Sequence, residues 1–181
     1  MENEKLDIYT NTKYSFGREE RKNIVLDIKE EITSTEETDI DISKQFNVTL
    51  DESVTIDTHS DVFLDSITTF NCKSNKTNED NMGFILRMQD FEIKTISNSN
   101  NLGRSLFIPN ENSSTDNDVS KSHKGKKLNH ICSINPMTIK NISGSISNMG
   151  NKSIFNANTD ANTGNTKTYG RCIIELVILS K

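Results

Sequence analysis

Residues 171–180 read Arg-Cys-Ile-Ile-Glu-Leu-Val-Ile-Leu-Ser, and this stretch decides the fold class. Its even-numbered residues from Cys172 to Ile178 are all apolar. Apolar side chains also hold most of the odd-numbered positions, with Glu175 the exception between Ile173 and Leu179. An extended strand turns successive side chains to opposite faces. The pattern therefore predicts a central strand that is covered on both sides or lies against a neighbouring subunit.

The rest of the chain carries shorter stretches in which apolar and polar residues alternate, separated by turn residues. None has a convincing 3.6-residue period, so each predicts a strand rather than a helix. Pro109 has no backbone N–H to give to a ladder, so its strand is expected to end there or to lie at a sheet edge. The segments 84–88 and 91–96 are either two strands or one bent strand. The predicted strands are 23–28, 46–50, 61–70, 84–88, 91–96, 106–109, 128–134, 137–146 and 171–180.

Composition supports an all-β domain. The 181 residues include only two Ala, so a helical bundle is improbable. Ile outnumbers Leu by 21 to 10, and β-branched residues suit a pleated, half-buried surface. Asn, Ser and Thr number 23, 20 and 18, which is typical of long polar loops, yet the apolar content is too high for a disordered chain. Seven to nine short strands with such loops indicate a β-sandwich or jelly roll.

Charge divides the chain into two parts. Residues 1–65 carry 17 acidic and 7 basic side chains, whereas 66–181 carry 9 and 14. Residues 30–41 read as a Thr- and acid-rich linker. We therefore expect an acidic N-terminal arm and linker at 1–44, which either is solvated or contacts the basic body of a neighbouring copy, and a single domain at 45–181.

The cysteines and the hydropathy exclude two classes of protein. Cys72, Cys132 and Cys172 are far apart and odd in number, and the first ten residues have no apolar signal-peptide core, so reduced thiols in or near the core are expected. The longest apolar run is far too short to cross a bilayer. These features predict a soluble protein that is made in the cytosol.

Residues that could carry chemistry are few. His130 and Cys132 alternate on one strand, which supplies two metal ligands at most, and nothing obvious completes a set of four. His59 would need a nucleophile nearby to act as a general base. The Lys-rich stretch 121–127 lacks interleaved aromatics and is read as part of a mobile loop at 110–127, not as a nucleic-acid site. We expect no catalysis, no cofactor and no metal.

Seven short phrases, in this order, resemble single jelly-roll capsid proteins of nucleocytoplasmic large DNA viruses, the group that includes vertex pentons and minor capsid proteins. The resemblance covers about residues 46–181 and rests on strand patterns rather than on a catalytic signature. The phrases are Asp-Val-Phe-Leu-Asp-Ser-Ile-Thr-Thr-Phe-Asn at 61–71, Asn-Met-Gly-Phe-Ile-Leu at 81–86, Ser-Leu-Phe-Ile-Pro-Asn at 105–110, His-Lys-Gly-Lys-Lys-Leu-Asn at 123–129, Ile-Asn-Pro at 134–136, Ile-Ser-Gly-Ser-Ile at 142–146 and Arg-Cys-Ile-Ile-Glu-Leu-Val-Ile at 171–178.

The resemblance implies a single eight-stranded jelly-roll β-sandwich with an extended N-terminal arm. It implies a homopentamer at the fivefold vertices of an icosahedral virion, in contact with neighbouring major and minor capsid proteins. It assigns no site residues, no nucleic-acid partner and no membrane span, and it allows contact with a host surface through loops.

Two other functions use a similar fold. A glycan- or receptor-binding β-sandwich usually presents aromatic platforms, and this chain has no Trp and only Tyr9, Tyr14 and Tyr169. A cupin-type enzyme gathers several His around a metal, whereas the three His here are scattered. A minor capsid protein is the nearest alternative to the penton.

Overall fold

The computed structural model describes residues 21–34, 45–72, 79–99, 102–110, 121–124, 129–155, 157–159 and 166–180. Across these ranges the chain consists of β-strands and loops, with one short 3₁₀ helix at Glu79–Asn81 and no α-helix. The predicted all-β class is confirmed.

The strands form two antiparallel sheets that pack as a sandwich. The six-stranded sheet contains β1 (Arg21–Ser34), β3 (Ser60–Phe70), β6 (Lys121–Lys124), β7 (His130–Ile134), β9 (Ala157–Thr159) and β10 (Thr166–Ser180). The four-stranded sheet contains β2 (Gln45–Ile56), β4 (Gly83–Met88), β5 (Leu106–Pro109) and β8 (Met137–Asn148).

Strand order places β10 at the centre of its sheet, between β1 and β3. Strands β6 and β7 lie one after the other along β3, and the short β9 pairs with the start of β10. The four-stranded sheet has the order β2-β8-β4-β5. The central position that the sequence predicts for residues 171–180 is therefore confirmed.

The hydrophobic core lies between the two sheets. Inward-facing residues of β10 and its neighbours meet those of β4 and β8, and full burial of one such side chain contributes about 1.5–3 kcal/mol. The side chains with no exposed surface include Leu26, Ile67, Leu86, Ile142 and Ile174.

Strand β2, at one edge of its sheet, is interrupted by a bulge. Its pairing with β8 shifts register between Thr49 and Val54. Lys140 of β8 donates from Nζ to the carbonyl oxygens of Leu50 (2.6 Å) and Asp51 (2.9 Å) and so holds the bulge in place. Bulges of this kind limit the pairing of an edge strand with another chain.

Most predicted strands are present. Strands β2, β3, β4, β5, β7, β8 and β10 contain or overlap the segments predicted for them. Strand β5, which ends at Pro109, lies at the edge of the four-stranded sheet, as the missing proline N–H predicts.

The N-terminal boundary of the domain needs correction. The sequence predicts that residues 21–34 belong to an arm and linker at 1–44, but they form β1, which pairs with β10 along its whole length. Ile24 and Leu26 are buried in the core, so this stretch belongs to the sandwich. The alternation at 23–28 correctly indicates a strand, whereas its abundant charges wrongly indicate an arm. Residues 1–20 and 35–44 lie outside the described residues.

Two other predictions are wrong. Phe91 and Ile93 are buried on the core, but the segment 91–96 joins no ladder, because an extended chain can alternate in burial without a partner strand. The sequence predicts that residues 121–124 belong to a mobile loop, but their backbone forms β6 against β3. The rest of the loop predicted at 110–127, apart from Asn110, lies outside the described residues.

Candidate functional site

The outer face of the six-stranded sheet carries both apolar and charged side chains. Ile24 and Leu26 point into the core, so the odd-numbered residues between 21 and 29 of β1 point outward. The odd-numbered residues between 171 and 179 of β10 lie beside them and also point outward. Together with the outward residues of β3 and β7 that pair beside them, these side chains are called the outer face below.

Apolar side chains occupy the middle of the outer face. Val25 is 56% exposed although it lies in the middle of β1. In the next row, Val177 of β10 pairs with Asn23 on one side and Phe63 on the other, and only 8% of Val177 is exposed. Ile173 and Leu179 continue the stripe along β10. The central strand β10 is therefore apolar on its outer face as well as on its core face.

An ion pair joins β1 to β10 at one end of the outer face. Arg171 donates from Nε and from one terminal nitrogen to the two carboxylate oxygens of Asp27, each at 2.7 Å. The Lys29 ammonium lies 3.2 Å from the same carboxylate. The hydrogen bond from Arg171 lowers the pKa of Asp27, and the same contact raises the pKa of Arg171. This geometry is bidentate, the form of surface ion pair that contributes most.

Glu175 is the charged residue at the centre of the outer face. The Ser66 hydroxyl of β3 donates to its carboxylate at 2.5 Å. Its other neighbour in the row is the exposed Val25 of β1. The hydrogen bond turns the Glu175 carboxylate toward β3 and away from the apolar stripe.

A cluster of three polar side chains lies at the other end of the face. One carboxylate oxygen of Asp61 accepts from the Ser133 hydroxyl at 2.5 Å and lies 3.4 Å from Nε2 of His130. The His130 ring also contacts the Phe63 ring edge to face, with centroids 5.4 Å apart. Both polar partners contact the carboxylate and not each other, so this is not the serine–histidine–carboxylate chain of a nucleophilic enzyme. Its geometry ties β7 to β3.

His130 and Cys132, which the sequence analysis considers and does not accept as metal ligands, are separated by a bulge. Pairing of β7 with β3 skips Ile131, because Val62 pairs with Cys132 while Phe63 pairs with His130. His130 is therefore exposed on the outer face, whereas Cys132 is buried on the core side. Among the described residues, no group of three or more His, Cys, Asp or Glu is arranged to hold a metal ion.

The three cysteines are buried thiols. Burial raises the pKa of Cys132 to about 11, and the nearby Asp61 carboxylate adds to the shift. Burial also raises the pKa of Cys172. A thiol that stays protonated is a poor nucleophile and a poor metal ligand. These cysteines pack as small apolar side chains.

The other two candidates lie elsewhere. Nδ1 of His59 is 3.3 Å from the side-chain oxygen of Asn135, at exposed turns of the sandwich. No hydroxyl or thiol contact is described for that ring. The backbone of the first four residues of the Lys-rich stretch lies in β6 beside residues 66–69 of β3, and the remainder is outside the described residues.

Only the β10 part of the outer face could be predicted from the sequence. The double-sided apolar pattern of residues 171–180 marks β10, but the exposure of Val25 depends on which neighbour lies beside it. Long-range pairing decides that, since residues 25 and 175 are 150 positions apart. Only the pairing register could have joined these side chains into one surface.

No helix in the described part of the chain is long and apolar enough to span a membrane. Comparison with protein-family models, curated proteins and solved structures gives no match for this chain. Arguments about function therefore rest on the strand topology and on the outer face.

Proposed function

We propose that this chain is a structural capsid protein of a large icosahedral DNA virus, which forms the fivefold vertices as a homopentamer. A single jelly roll is the fold in this proposal, and neighbouring major and minor capsid proteins are its other partners. The virion vertex is its location. The observation that carries the proposal is the order in which the strands pair.

The pairs are nested from the ends of the chain toward its middle. Strand β1 pairs with β10, β2 with β8, β3 with β6 and β7, and β4 with β5. If β6 and β7 are taken as one interrupted strand, this is a single long antiparallel hairpin of eight strands. Two further pairings, β10 with β3 and β8 with β4, roll that hairpin into a sandwich.

This nested order supports a jelly roll, which contains eight strands in two sheets. Jelly rolls occur in viral capsid proteins, lectins and cupins, so fold alone leaves several functions open. The ordered phrases between residues 61 and 178 favour the capsid protein.

In this proposal the arm is confined to residues 1–20, since β1 begins at Arg21. A truncation for testing its role in assembly therefore has to stop before Arg21. Removing residues 1–44 would also delete β1 and leave one edge of β10 without a partner strand.

Native mass spectrometry of the full-length chain, combined with negative-stain electron microscopy, tests the proposal. We expect a species of five times the 20.4 kDa chain mass and ring-shaped particles with fivefold symmetry. A protein that never forms rings of five, and that binds a defined glycan saturably on an array, would instead be a receptor-binding module. The chain lacking residues 1–20 serves as a comparison, and we expect it to keep the fold.

A further inference from the structure

We infer that two lysines, Lys22 of β1 and Lys140 of β8, close the edge of β2 to strand addition by a second copy of this chain. Among the described strands, β2 lies at the end of its sheet and pairs with β8 alone. Such an edge presents backbone N–H and C=O groups that another chain can pair with. The inference does not depend on the capsid proposal, because it concerns a contact that the fold prevents.

The two edges of the four-stranded sheet differ in how much backbone they expose. Strand β5 has four residues and ends at Pro109, which has no N–H to donate to a ladder. Strand β2 has 12 residues and no proline. A short strand and a proline are two ways in which proteins protect a sheet edge, and β2 has neither of them. This strand therefore needs another form of protection.

The bulge in β2 is the first part of this protection. Residues 50–53 of β2 lie opposite the single residue Lys140 of β8, so β2 has three residues in excess. Sliding the strand cannot remove them, because a shift of three positions would turn the buried Phe46 out of the core. Asp51 and Glu52 are exposed at this point. The bulge therefore holds two carboxylates in the path of an incoming strand.

The two lysines take up backbone acceptors in the same half of β2. Nζ of Lys140 donates to the carbonyl oxygens of Leu50 at 2.6 Å and of Asp51 at 2.9 Å. Nζ of Lys22 reaches across from the other sheet and donates to the carbonyl oxygen of Thr55. Hydrogen bonds from a charged donor are about twice as strong as those between neutral groups. The peptide N–H of an incoming strand is a weaker donor than the ammonium groups it would have to displace.

Removal of the lysine contacts leaves these carbonyls to water or to another strand. The same edge of a second copy then supplies the partner, because two identical edges can pair antiparallel about a two-fold axis. The net charge of −5 and the carboxylates of the bulge still oppose this approach. In 1 M salt the Debye length is about 3 Å, which screens that repulsion. The contribution of the lysines is therefore measured at high salt.

Analytical ultracentrifugation of the full-length chain at high salt tests the inference. The variant Lys140→Met keeps the aliphatic stem and removes the donor, and we expect the dissociation constant for self-association to fall at least about tenfold below that of the wild type. Lys22→Met should act in the same direction. Lys140→Arg retains donors and should behave like the wild type. The matched control is Lys152→Met, which changes an exposed lysine in the turn after β8.

Hydrogen exchange locates the new contact. In Lys140→Met we expect amides 50–54 to exchange faster than in the wild type at low concentration, and amides 45–56 to exchange more slowly as the concentration rises. Far-UV circular dichroism establishes that the variants are folded, and if Lys140→Met is not, Lys22→Met gives the same test from β1. Association of Lys140→Met no stronger than that of Lys152→Met would overturn the inference. Equal association of Lys140→Arg, or protection that arises outside β2, would overturn it too. Each variant is compared with the wild type, so the result does not depend on whether rings of five form.

Discussion

The close approach of strands at Gly144 gives a sharp test of the packing. Gly144 lies in β8 between Phe46 of β2 and Met88 of β4. A Cβ atom added there would lie 2.4 Å from the carbonyl oxygen of Arg87 and 2.5 Å from Cζ of Phe46. The phenyl ring can move, but the carbonyl belongs to β4, which pairs with β8, so the strands themselves would have to separate.

The expected cost of Gly144→Ala follows from two opposing effects. Overpacking costs about 1–3 kcal/mol, whereas replacing glycine recovers about 0.5–1 kcal/mol of unfolded-state entropy. We expect a net loss of about 1–2 kcal/mol and a fall in Tm of about 2–8 °C for a chain of this length. Urea denaturation followed by far-UV circular dichroism measures the free energy of unfolding directly.

Two control variants separate the causes. A Cβ atom at Gly103 meets nothing within 4 Å, so Gly103→Ala should leave the stability unchanged or slightly higher. Phe46→Leu removes the ring contact but keeps the Arg87 carbonyl in place. Gly144→Ala should therefore still destabilise the Phe46→Leu protein. If Gly144→Ala is as stable as Gly103→Ala, the reasoning about strand separation is wrong.

Three further predictions concern the core, the ion pair and the thiols. Leu176→Ala, at a core position that is 1% exposed, should lower the free energy of unfolding by about 2–5 kcal/mol, far more than Val25→Ala in urea titrations of the monomer. The lowered pKa of Asp27 contributes stability that is present above its ordinary value of 3.8 and lost as pH falls through the lower folded value, so Asp27→Asn should flatten the acid limb of a pH–stability curve. Arg171→Gln should flatten it only in part, because Lys29 still lowers the pKa of Asp27, and the double variant should match Asp27→Asn. Because burial holds the pKa of Cys132 near 11, its thiol should react with a disulfide reagent at neutral pH only after unfolding; rapid labelling of the native protein would contradict this.

The sequence predicted the fold class because local patterning carries it. Alternation, the excess of Ile and the polar connections between strands all report on a pleated surface with one buried face. They do not report on pairing. The segment 91–96 shows the limit, since Phe91 and Ile93 alternate in burial without any partner strand.

Charge was the misleading signal at the N terminus. Residues 21–34 carry many charged side chains, which favoured an arm, but Arg21, Asp27 and Lys29 lie on the outer face of the sheet. A strand at a sheet edge tolerates such side chains, and they discourage pairing with foreign strands. The apolar residues Ile24 and Leu26 were therefore the better guide to the position of this segment.

The nested pairing also limits how the chain can be truncated without loss of the fold. Strand β1 pairs with β10, so the first and last described strands complete one sheet, and Asn23 contacts Val177 across 154 positions. Closing such a long loop is entropically costly and is rewarded only when the central strand has gained both neighbours. Truncation at either end consequently removes the same contacts, on the core side and on the outer face together. Single substitutions at exposed positions such as Val25, which leave the ladder intact, are for this reason the appropriate way to separate assembly from folding in this protein.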